Sequence, residues 1–337
     1  MNLSKIAIEE HMAPSGTLDR VPDRFEPEAW RKLSHALVDI HGQLLSEMDA
    51  ANIEMSVLSL TSPGIQAIPD RKKAVEVAQR SNDCLAEQVA KNPKRFQAFA
   101  AVPMQDPEAA SRELVRCVKE LGFRGVLVNG FSQIDAEDSV AYYDRPQFWD
   151  FWATVEALDV PFYLHPREVL PSQMTFLEDH PWLGNSTWAF TVDTATHALL
   201  LMSSGLFDKY PKLTVILGHL GETLPFLMWR VDNRLSKTPK GCPAKKKLDE
   251  YFKNNFYVTT SGQFCTQSLL NSMAWLGADR ILFSVDYPFE KVSDGANWFD
   301  NLKATKAISD TDWVKLARGN AEKLLKLGTA KQTAASV

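Results

Sequence analysis

Short apolar segments alternate with longer amphipathic segments along most of this 337-residue chain. An apolar run of about four to eight residues indicates a buried strand, whereas apolar positions repeating at about 3.6 residues indicate a helix. The segments that fit a strand are 5–8, 53–60, 96–102, 126–130, 160–165, 213–217, 256–260 and 281–286. The segments that fit a helix are 28–50, 71–90, 107–121, 147–158, 191–203, 224–231, 296–306 and 311–326.

This alternation predicts parallel βαβ units with right-handed crossovers, which is the α/β class. Eight such units suit a single (β/α)8 TIM barrel over residues 1–327, with long loops such as 166–188 at its C-terminal face. A doubly wound open sheet is the alternative, but no GxGxxG turn favours a dinucleotide site. The small polar tail at 328–337 is expected to be disordered.

The charge and the cysteine content indicate which partners and which cellular compartment to expect. The net charge of -5 gives no electrostatic reason to expect nucleic acid or an anionic membrane as a partner. No apolar run reaches the roughly 18 residues needed to span a bilayer, and the N-terminus has no secretory signal pattern. The 4 cysteines are widely spaced without a CxxC pair, which favours a reducing compartment. We therefore expect a soluble cytoplasmic protein.

Histidines and carboxylates stand at the C-terminal ends of several predicted strands, which converge on one pocket in a barrel. Alternate strand residues share a face, so Glu9 and His11 can both point inward while Glu10 points away. Imidazoles and carboxylates together suit one divalent cation. Each residue alone fits a hydrogen-bonded core position, but their occurrence at four strand ends favours metal binding. The candidates are Glu9, His11, His165, His219, Glu222 and Asp286.

Over residues 5–327 the chain resembles the amidohydrolase superfamily, and within it the amidohydrolase-related hydroxybenzoate decarboxylases. The match is closest to the γ-resorcylate (2,6-dihydroxybenzoate) decarboxylases, with the 2,3-dihydroxybenzoate and salicylate decarboxylases as near relatives. The segments that carry the resemblance are Ile8-Glu9-Glu10-His11, Phe162-Tyr163-Leu164-His165-Pro166, Leu217-Gly218-His219-Leu220-Gly221-Glu222, Trp229-Arg230 and Phe283-Ser284-Val285-Asp286-Tyr287-Pro288-Phe289-Glu290.

The resemblance implies one divalent ion held by Glu9, His11, His165 and Asp286, and no organic cofactor. Zn²⁺ suits this donor set best, although its oxygen content also admits Mn²⁺ or Mg²⁺. Hydrolytic members typically open with His-x-His, and many carry a lysine that bridges two metals at the end of the fourth strand. This chain has Glu9-x-His11 and Asn129-Gly130 at those places, so a bridged dinuclear site is not expected.

The same resemblance implies Asp286 as the proton donor to the substrate ring. His219 and Glu222 suit a proton relay to it, because the carboxylate can orient the imidazole and stabilise its charged form. A direct metal-ligand role for His219 is the less favoured alternative. The candidates for contact with the substrate, each of which also fits a plain surface or core role, are Arg230, Phe289, Trp188, Phe190 and Asn129.

We therefore expect reversible, non-oxidative decarboxylation of a small aromatic hydroxy acid: 2,6- or 2,3-dihydroxybenzoate, or salicylate. The alternatives are a metal-dependent hydrolase of a lactone or amide and a non-catalytic, metal-stabilised binding protein. The resemblance also implies a homodimer or homotetramer. Outside the site, His35, His41 and His180 are expected at the surface or behind the ligands, and His197 is expected to pack inside a helix.

Overall fold

The computed structural model describes residues 3–15, 18 and 25–328. All but the first residue of the predicted disordered tail therefore lies outside the described residues. The described part contains eight strands, and every pairing between them is parallel. They are β1 Lys5–Met12, β2 Ile53–Leu60, β3 Phe96–Ala98, β4 Val126–Asn129, β5 Phe162–His165, β6 Val215–Leu217, β7 Phe256–Thr259 and β8 Ile281–Leu282.

The strands form a closed ring in chain order. Backbone pairing runs through β1-β2-β3 and through β4-β5-β6-β7-β8. A parallel bridge between Ala100 and Val126 joins β3 to β4, and another between Glu10 and Tyr287 joins the segment after β8 to β1. The predicted (β/α)8 barrel is therefore confirmed, and the open doubly wound sheet is excluded.

Thirteen α-helices surround the strands in the described residues, and none has the length and apolar character of a membrane span. The helix predicted at 28–50 is divided at Asp39, whose carboxylate accepts the amides of Gly42 and Gln43. Three of the helices, α7, α9 and α10, were not predicted. The helices are α1 Pro27–Val38, α2 Leu45–Ala50, α3 Arg71–Lys91, α4 Pro107–Lys119, α5 Trp149–Leu158, α6 Ala189–Ser203, α7 Leu206–Lys209, α8 Leu224–Lys237, α9 Leu248–Asn255, α10 Thr266–Leu276, α11 Val292–Ala304, α12 Asp310–Val314 and α13 Asn320–Leu324.

Two apolar layers hold the barrel together. A large cluster packs the helices on the outside of the strands. A smaller cluster draws one or two residues from most of the strands, and residues of α13 and the turn after it join it. Its buried members are Ile6, Ile8, Val57, Phe99, Leu127, Tyr163, Ile216, Leu282, Ala321 and Leu325. The floor of the barrel is therefore dry, and the polar residues collect above it at the C-terminal ends of the strands.

His197 belongs to this packed framework, as predicted. Its ring is fully buried on α6, with its centroid 4.8 Å from the rings of both Tyr142 and Tyr143. The Tyr143 amide donates to Nε2 at 3.0 Å, so this nitrogen must be unprotonated. Burial lowers the pKa of His197 to about 3.

Candidate metal centre

The four predicted metal ligands converge on one point at the C-terminal end of the barrel. One donor atom from each of Glu9, His11, His165 and Asp286 lies within 4.8 Å of the others. His11 Nε2 is 3.2 Å from Asp286 Oδ1, and His165 Nε2 is 3.3 Å from Glu9 Oε1. The arrangement brings two imidazole nitrogens and two carboxylate oxygens together in a buried site.

An irregularity in β1 aims its two ligands into this site. The register of β1 against β2 shifts between Ala7 and Glu10. Across this bulge, Ile8 belongs to the apolar floor and yet the next residue, Glu9, also faces inward. A bulge re-aims the side chains that follow it, so Glu9 and His11 reach the metal site although simple alternation from Ile8 would turn them outward.

Glu9 is held by three hydroxyl groups. Thr259 donates to its Oε2 at 2.9 Å, and Tyr163 and Ser261 donate to the same oxygen. Burial by itself would raise the pKa of Glu9, but the neighbouring imidazole of His165 and the positive potential of His219 and His11 bring it well below its usual range. With Oε2 occupied, Oε1 is left facing the other ligands with no hydrogen-bond partner in the described structure.

Each histidine ligand is oriented through its Nδ1. His165 Nδ1 donates to the amide oxygen of Asn129 at 2.8 Å, and His11 Nδ1 lies 3.3 Å from the Ser59 hydroxyl. These contacts direct both Nε2 atoms at the carboxylates, as is usual for histidines that bind metals. Asn129, predicted to touch substrate, therefore stands behind His165 with only 2% of its surface exposed.

Asp286 completes the cluster from a left-handed backbone conformation, with φ of 83°. Burial would raise its pKa, but the nearby imidazoles of His11 and His219 lower it below the ordinary value. Three buried atoms that could bind a metal have no hydrogen-bond partner among the described residues: Glu9 Oε1, His11 Nε2 and Asp286 Oδ1. Because buried polar atoms are rarely left unpaired, these orphans fit a divalent cation with nitrogen and oxygen ligands.

His219 and Glu222 form a second pair at the edge of the cluster. His219 Nδ1 donates to Glu222 Oε1 at 2.8 Å, and Thr191 on α6 donates to the other oxygen of that carboxylate. His219 Nε2 faces Asp286 Oδ2 at 3.7 Å. Burial would lower the pKa of His219, but the Glu222 charge and the contact with Asp286 raise it well above its usual value. This geometry suits a proton relay.

The backbone around His219 is also specialised. His219 and Glu222 both have positive φ values, of 52° and 59°. Gly262, at φ of 57°, lies against the imidazole, and a Cβ there would come within 2.9 Å of His219 Cδ2. Such left-handed residues cost backbone energy and cluster at functional sites.

A cavity of about 980 Å³ reaches the cluster only through Phe289, and none of the four predicted ligands is among its lining residues. Phe289 lines it and packs edge-on against His11, with ring centroids 5.6 Å apart. Trp182 also lines it, although the sequence did not single it out. Of the other predicted substrate contacts, Trp188 and Phe190 are not among the described lining residues.

Arg230, another predicted substrate contact, is a surface residue. It is exposed on α8, beside Trp229, which is 66% exposed. The structure therefore brings together the six predicted metal and relay residues and Phe289, and it places Asn129 behind them. Arg230 and Trp188 lie on the surface, and Phe190 is partly buried.

Known proteins match this chain over nearly its whole length. The amidohydrolase family model matches residues 32–327. A gamma-resorcylate decarboxylase of Rhizobium sp. (strain MTP-10005) is 52% identical over 328 residues, covering 97% of this chain and 99% of the relative. A crystal structure of 2,6-dihydroxybenzoate decarboxylase complexed with 2,6-dihydroxybenzoate has a TM-score of 0.92 and 51% identity, and the match covers 96% of this chain and 100% of that chain.

A second crystal structure adds a metal. The dihydroxybenzoic acid decarboxylase of Polaromonas sp. JS666, solved with bound manganese and the inhibitor 2-nitroresorcinol, has a TM-score of 0.91 and 53% identity. The match covers 97% of this chain and 98% of that chain. The resemblance inferred from the sequence motifs is confirmed, and the chain belongs to the amidohydrolase family.

Proposed function

We propose that this protein is a divalent-metal-dependent carboxy-lyase that decarboxylates ortho-hydroxybenzoates, with 2,6-dihydroxybenzoate as the first substrate to test. The observation that carries the proposal is the cluster of Glu9, His11, His165 and Asp286. Phe289, which packs against His11, also lines the cavity. The relatives named for gamma-resorcylate and 2,6-dihydroxybenzoate decarboxylation support the same substrate class.

The chemistry requires a way around a free aryl anion, which would be very unstable. If the ring carbon bearing the carboxylate is protonated first, CO₂ can leave as the ring becomes aromatic again. This order requires an electron-rich phenolate, an acid near the ring carbon and a flat apolar slot. When bound, the divalent ion supplies a Lewis acid that favours the phenolate form of the ortho hydroxyl.

We assign delivery of the proton in this chain to Asp286. Its Oδ1 faces His11, and its Oδ2 faces His219 Nε2 across 3.7 Å. His219 can hold a proton at Nε2 because Glu222 accepts from Nδ1 and stabilises the positively charged ring. One proton passes from His219 to Asp286 and then to the ring carbon, and the C–C bond to the carboxylate breaks with its electrons returning to the ring. The reverse sequence carboxylates the phenol.

We propose that the cavity lined by Phe289 provides the slot, with Phe289 as one wall of it. Its ring lies against His11 and can pack on an aromatic substrate. Roles of Arg230, Trp188 and Phe190 in substrate binding stay predictions. Alanine substitution at each of the three, read out as KM, tests them one by one.

For the metal, we propose Mn²⁺ ahead of the Zn²⁺ favoured by ligand type alone. The donor set contains two carboxylates, which Mn²⁺ accepts readily. The relative from Polaromonas sp. JS666 was solved with manganese. Reconstitution of metal-free protein with Mn²⁺, Zn²⁺ or Mg²⁺, followed by activity and metal content, decides among the three.

We also propose a cytoplasmic homo-oligomer, either a dimer or a tetramer. On α8, Phe226 is 83% and Trp229 is 66% exposed, and large aromatic side chains in such positions mark interaction surfaces. A second copy packed on this face would cover both rings. Light scattering of the wild type and of Phe226→Lys tests this assignment, because the variant should dissociate. All four cysteines are free thiols, which suits a reducing compartment.

The function is tested by incubating purified, Mn²⁺-loaded protein separately with 2,6-dihydroxybenzoate, 2,3-dihydroxybenzoate and salicylate. We expect release of CO₂ and the matching phenol, and loss of activity with EDTA. Chromatography of the products distinguishes the three substrates. Hydrolysis of a lactone or amide with no turnover of any benzoate would instead identify a metal-dependent hydrolase.

A further inference from the structure

One backbone bridge, between Glu10 and Tyr287, and several side-chain hydrogen bonds close the barrel between β1 and the segment after β8. The Ser284 hydroxyl accepts the amides of both Ile8 and Glu9, at 3.0 and 2.7 Å. It donates in turn to Glu10 Oε1 at 2.8 Å. Two successive amides that share one acceptor mark the bulge that turns Glu9 toward the metal site.

The Glu10 carboxylate binds the backbone on both sides of Asp286, at the junction between β1 and the segment after β8 (the seam). Its Oε1 accepts the amide of Val285 at 3.1 Å, and its Oε2 accepts the amide of Tyr287 at 2.9 Å. These are the residues immediately before and after Asp286, whose φ of 83° is rarely adopted by a residue with a side chain. One carboxylate therefore brackets the unusual backbone from which Asp286 reaches the cluster.

We infer that Glu10 is a positioning residue of the metal site, and that it acts by holding the left-handed backbone of Asp286. This inference rests on the proposed metal site, and it goes beyond the proposed reaction in assigning a role to a side chain that touches neither cation nor substrate. Glu10 and Ser284 together couple the β1 ligands to the ligand that follows β8.

The two hydrogen bonds that Glu10 accepts from Val285 and Tyr287 explain why this position carries a carboxylate. Glu10 is 1% exposed and lies between two other acids, the buried Glu9 and the partly buried Asp286, where its charge is electrostatically unfavourable. Only a carboxylate offers two oxygens that both accept. A glutamine has one accepting oxygen, and its NH₂ group would face an amide that also donates. Glu10→Gln should therefore keep the side-chain shape at this position but lose the hydrogen bond to the backbone on one side of Asp286.

The experiment measures Mn²⁺ affinity by calorimetry, with no substrate present, for the wild type, Glu10→Gln and Glu113→Gln. Glu113 is a matched control, because it is also buried and accepts from Asn82 and Arg116, but it lies on α4 outside the site. We expect about 10- to 100-fold weaker Mn²⁺ binding for Glu10→Gln and a change of less than about twofold for Glu113→Gln. The Mn²⁺ electron paramagnetic resonance spectrum should also change for Glu10→Gln.

A double-variant cycle distinguishes positioning from general loosening of the barrel. If Glu10 acts through Asp286, Glu10→Gln should weaken Mn²⁺ binding by less than about twofold when Asp286→Asn is already present. A full additional loss in the double variant would overturn the inference, as would wild-type affinity in Glu10→Gln. Should Glu10→Gln fail to fold, Glu10→Asp replaces it in the same cycle, because its shorter side chain cannot reach the amides of both Val285 and Tyr287; about tenfold weaker binding is expected.

These measurements are independent of turnover. A wild-type protein that binds Mn²⁺ but releases no CO₂ would refute the decarboxylase proposal and leave the test of Glu10 intact. Normal turnover together with wild-type Mn²⁺ affinity in Glu10→Gln would refute the positioning role and leave the decarboxylase proposal intact.

Discussion

Replacing Glu222 with glutamine removes the negative charge beside His219 while leaving the side-chain shape nearly unchanged. The Glu222 side chain is 1% exposed, so solvent screens little of its interaction with the imidazole. The glutamine oxygen can still accept from His219 Nδ1, at the 2.8 Å position now occupied by Glu222 Oε1. The substitution therefore tests the charge of the relay separately from its geometry.

The expected size of the effect follows from the kind of hydrogen bond that is lost. A hydrogen bond to a charged group contributes about 1.5–3 kcal/mol, and one between neutral groups about 0.5–1.5 kcal/mol. The difference, about 1–1.5 kcal/mol, corresponds to about a tenfold lower kcat if the charged imidazole is needed at the transition state. Removing the imidazole itself, in His219→Asn, should lower kcat by about 10²- to 10⁴-fold.

The assay follows loss of 2,6-dihydroxybenzoate under initial-rate conditions for both single variants and the double variant. Glu222 is assigned a role through His219 alone. The double variant should therefore have the same kcat as His219→Asn. Glu290→Gln serves as the control, since that exposed carboxylate lies near Asp286 without a hydrogen bond to His219. Multiplicative losses in the double variant, or an unchanged kcat for Glu222→Gln, would refute the relay.

Three further predictions concern the acid, a residue behind a ligand and the framework. Asp286→Asn should lower kcat by at least about 10²-fold, because the amide cannot donate the proton to the ring carbon; CO₂ release measures this. Asn129→Leu should weaken Mn²⁺ binding by about 10- to 100-fold, because His165 Nδ1 loses its acceptor; calorimetry measures this. His197 has its folded pKa depressed to about 3 from an ordinary 6.5, so its contribution to stability is complete above pH 6.5 and lost as pH falls toward 3. Between pH 6.5 and 5 the loss is about 2 kcal/mol, and urea unfolding of His197→Phe should lack this part of the pH dependence.

Each of these has an outcome that contradicts it. Near-normal turnover by Asp286→Asn would show that another group protonates the ring. Unchanged Mn²⁺ affinity in Asn129→Leu would show that packing alone orients His165. A His197→Phe protein that loses stability with acid as steeply as the wild type would place that pH dependence elsewhere, and His35→Gln, at an exposed position, provides the matched comparison.

The barrel and its ligands could be predicted because both depend on local patterns. An apolar run that ends in a histidine or acid identifies a strand end, and parallel strands gather such ends at one face. His165, at the end of β5, is the clearest instance. Asn129, which accepts from His165, ends the neighbouring strand and is predicted from the sequence as a substrate contact. Its hydrogen bond with His165 depends on the pairing of β4 with β5, which the sequence pattern does not give.

The segment predicted as a strand at 281–286 pairs as one only at Ile281–Leu282. Beyond that point Ser284 and Val285 donate their amides to the side chains of Thr260 and Glu10, and Asp286 takes up a positive φ. Apolar periodicity cannot reveal this change, because it comes from side chains distant in sequence. The β1 bulge escaped prediction for the same reason.

Several polar residues of the site were also missed. Thr259 and Tyr163 are common strand residues, so their hydroxyl contacts with Glu9 leave no signal in the pattern. Thr191 lies in the first turn of α6, where any helix could carry a threonine, and only the fold brings it to Glu222. Once the sequence identifies a buried Glu9, however, a search for nearby hydroxyl donors on inward strand positions would identify such residues.

If Glu9, His11, His165 and Asp286 hold the cation, decarboxylation should require one metal ion per chain. This requirement is tested most directly by titrating metal-free protein with Mn²⁺ while following conversion of 2,6-dihydroxybenzoate to resorcinol. We expect no turnover without metal, a rise that saturates at one Mn²⁺ per chain, and no rise for His165→Ala. Full turnover by the metal-free protein, or an unaltered titration for His165→Ala, would contradict it.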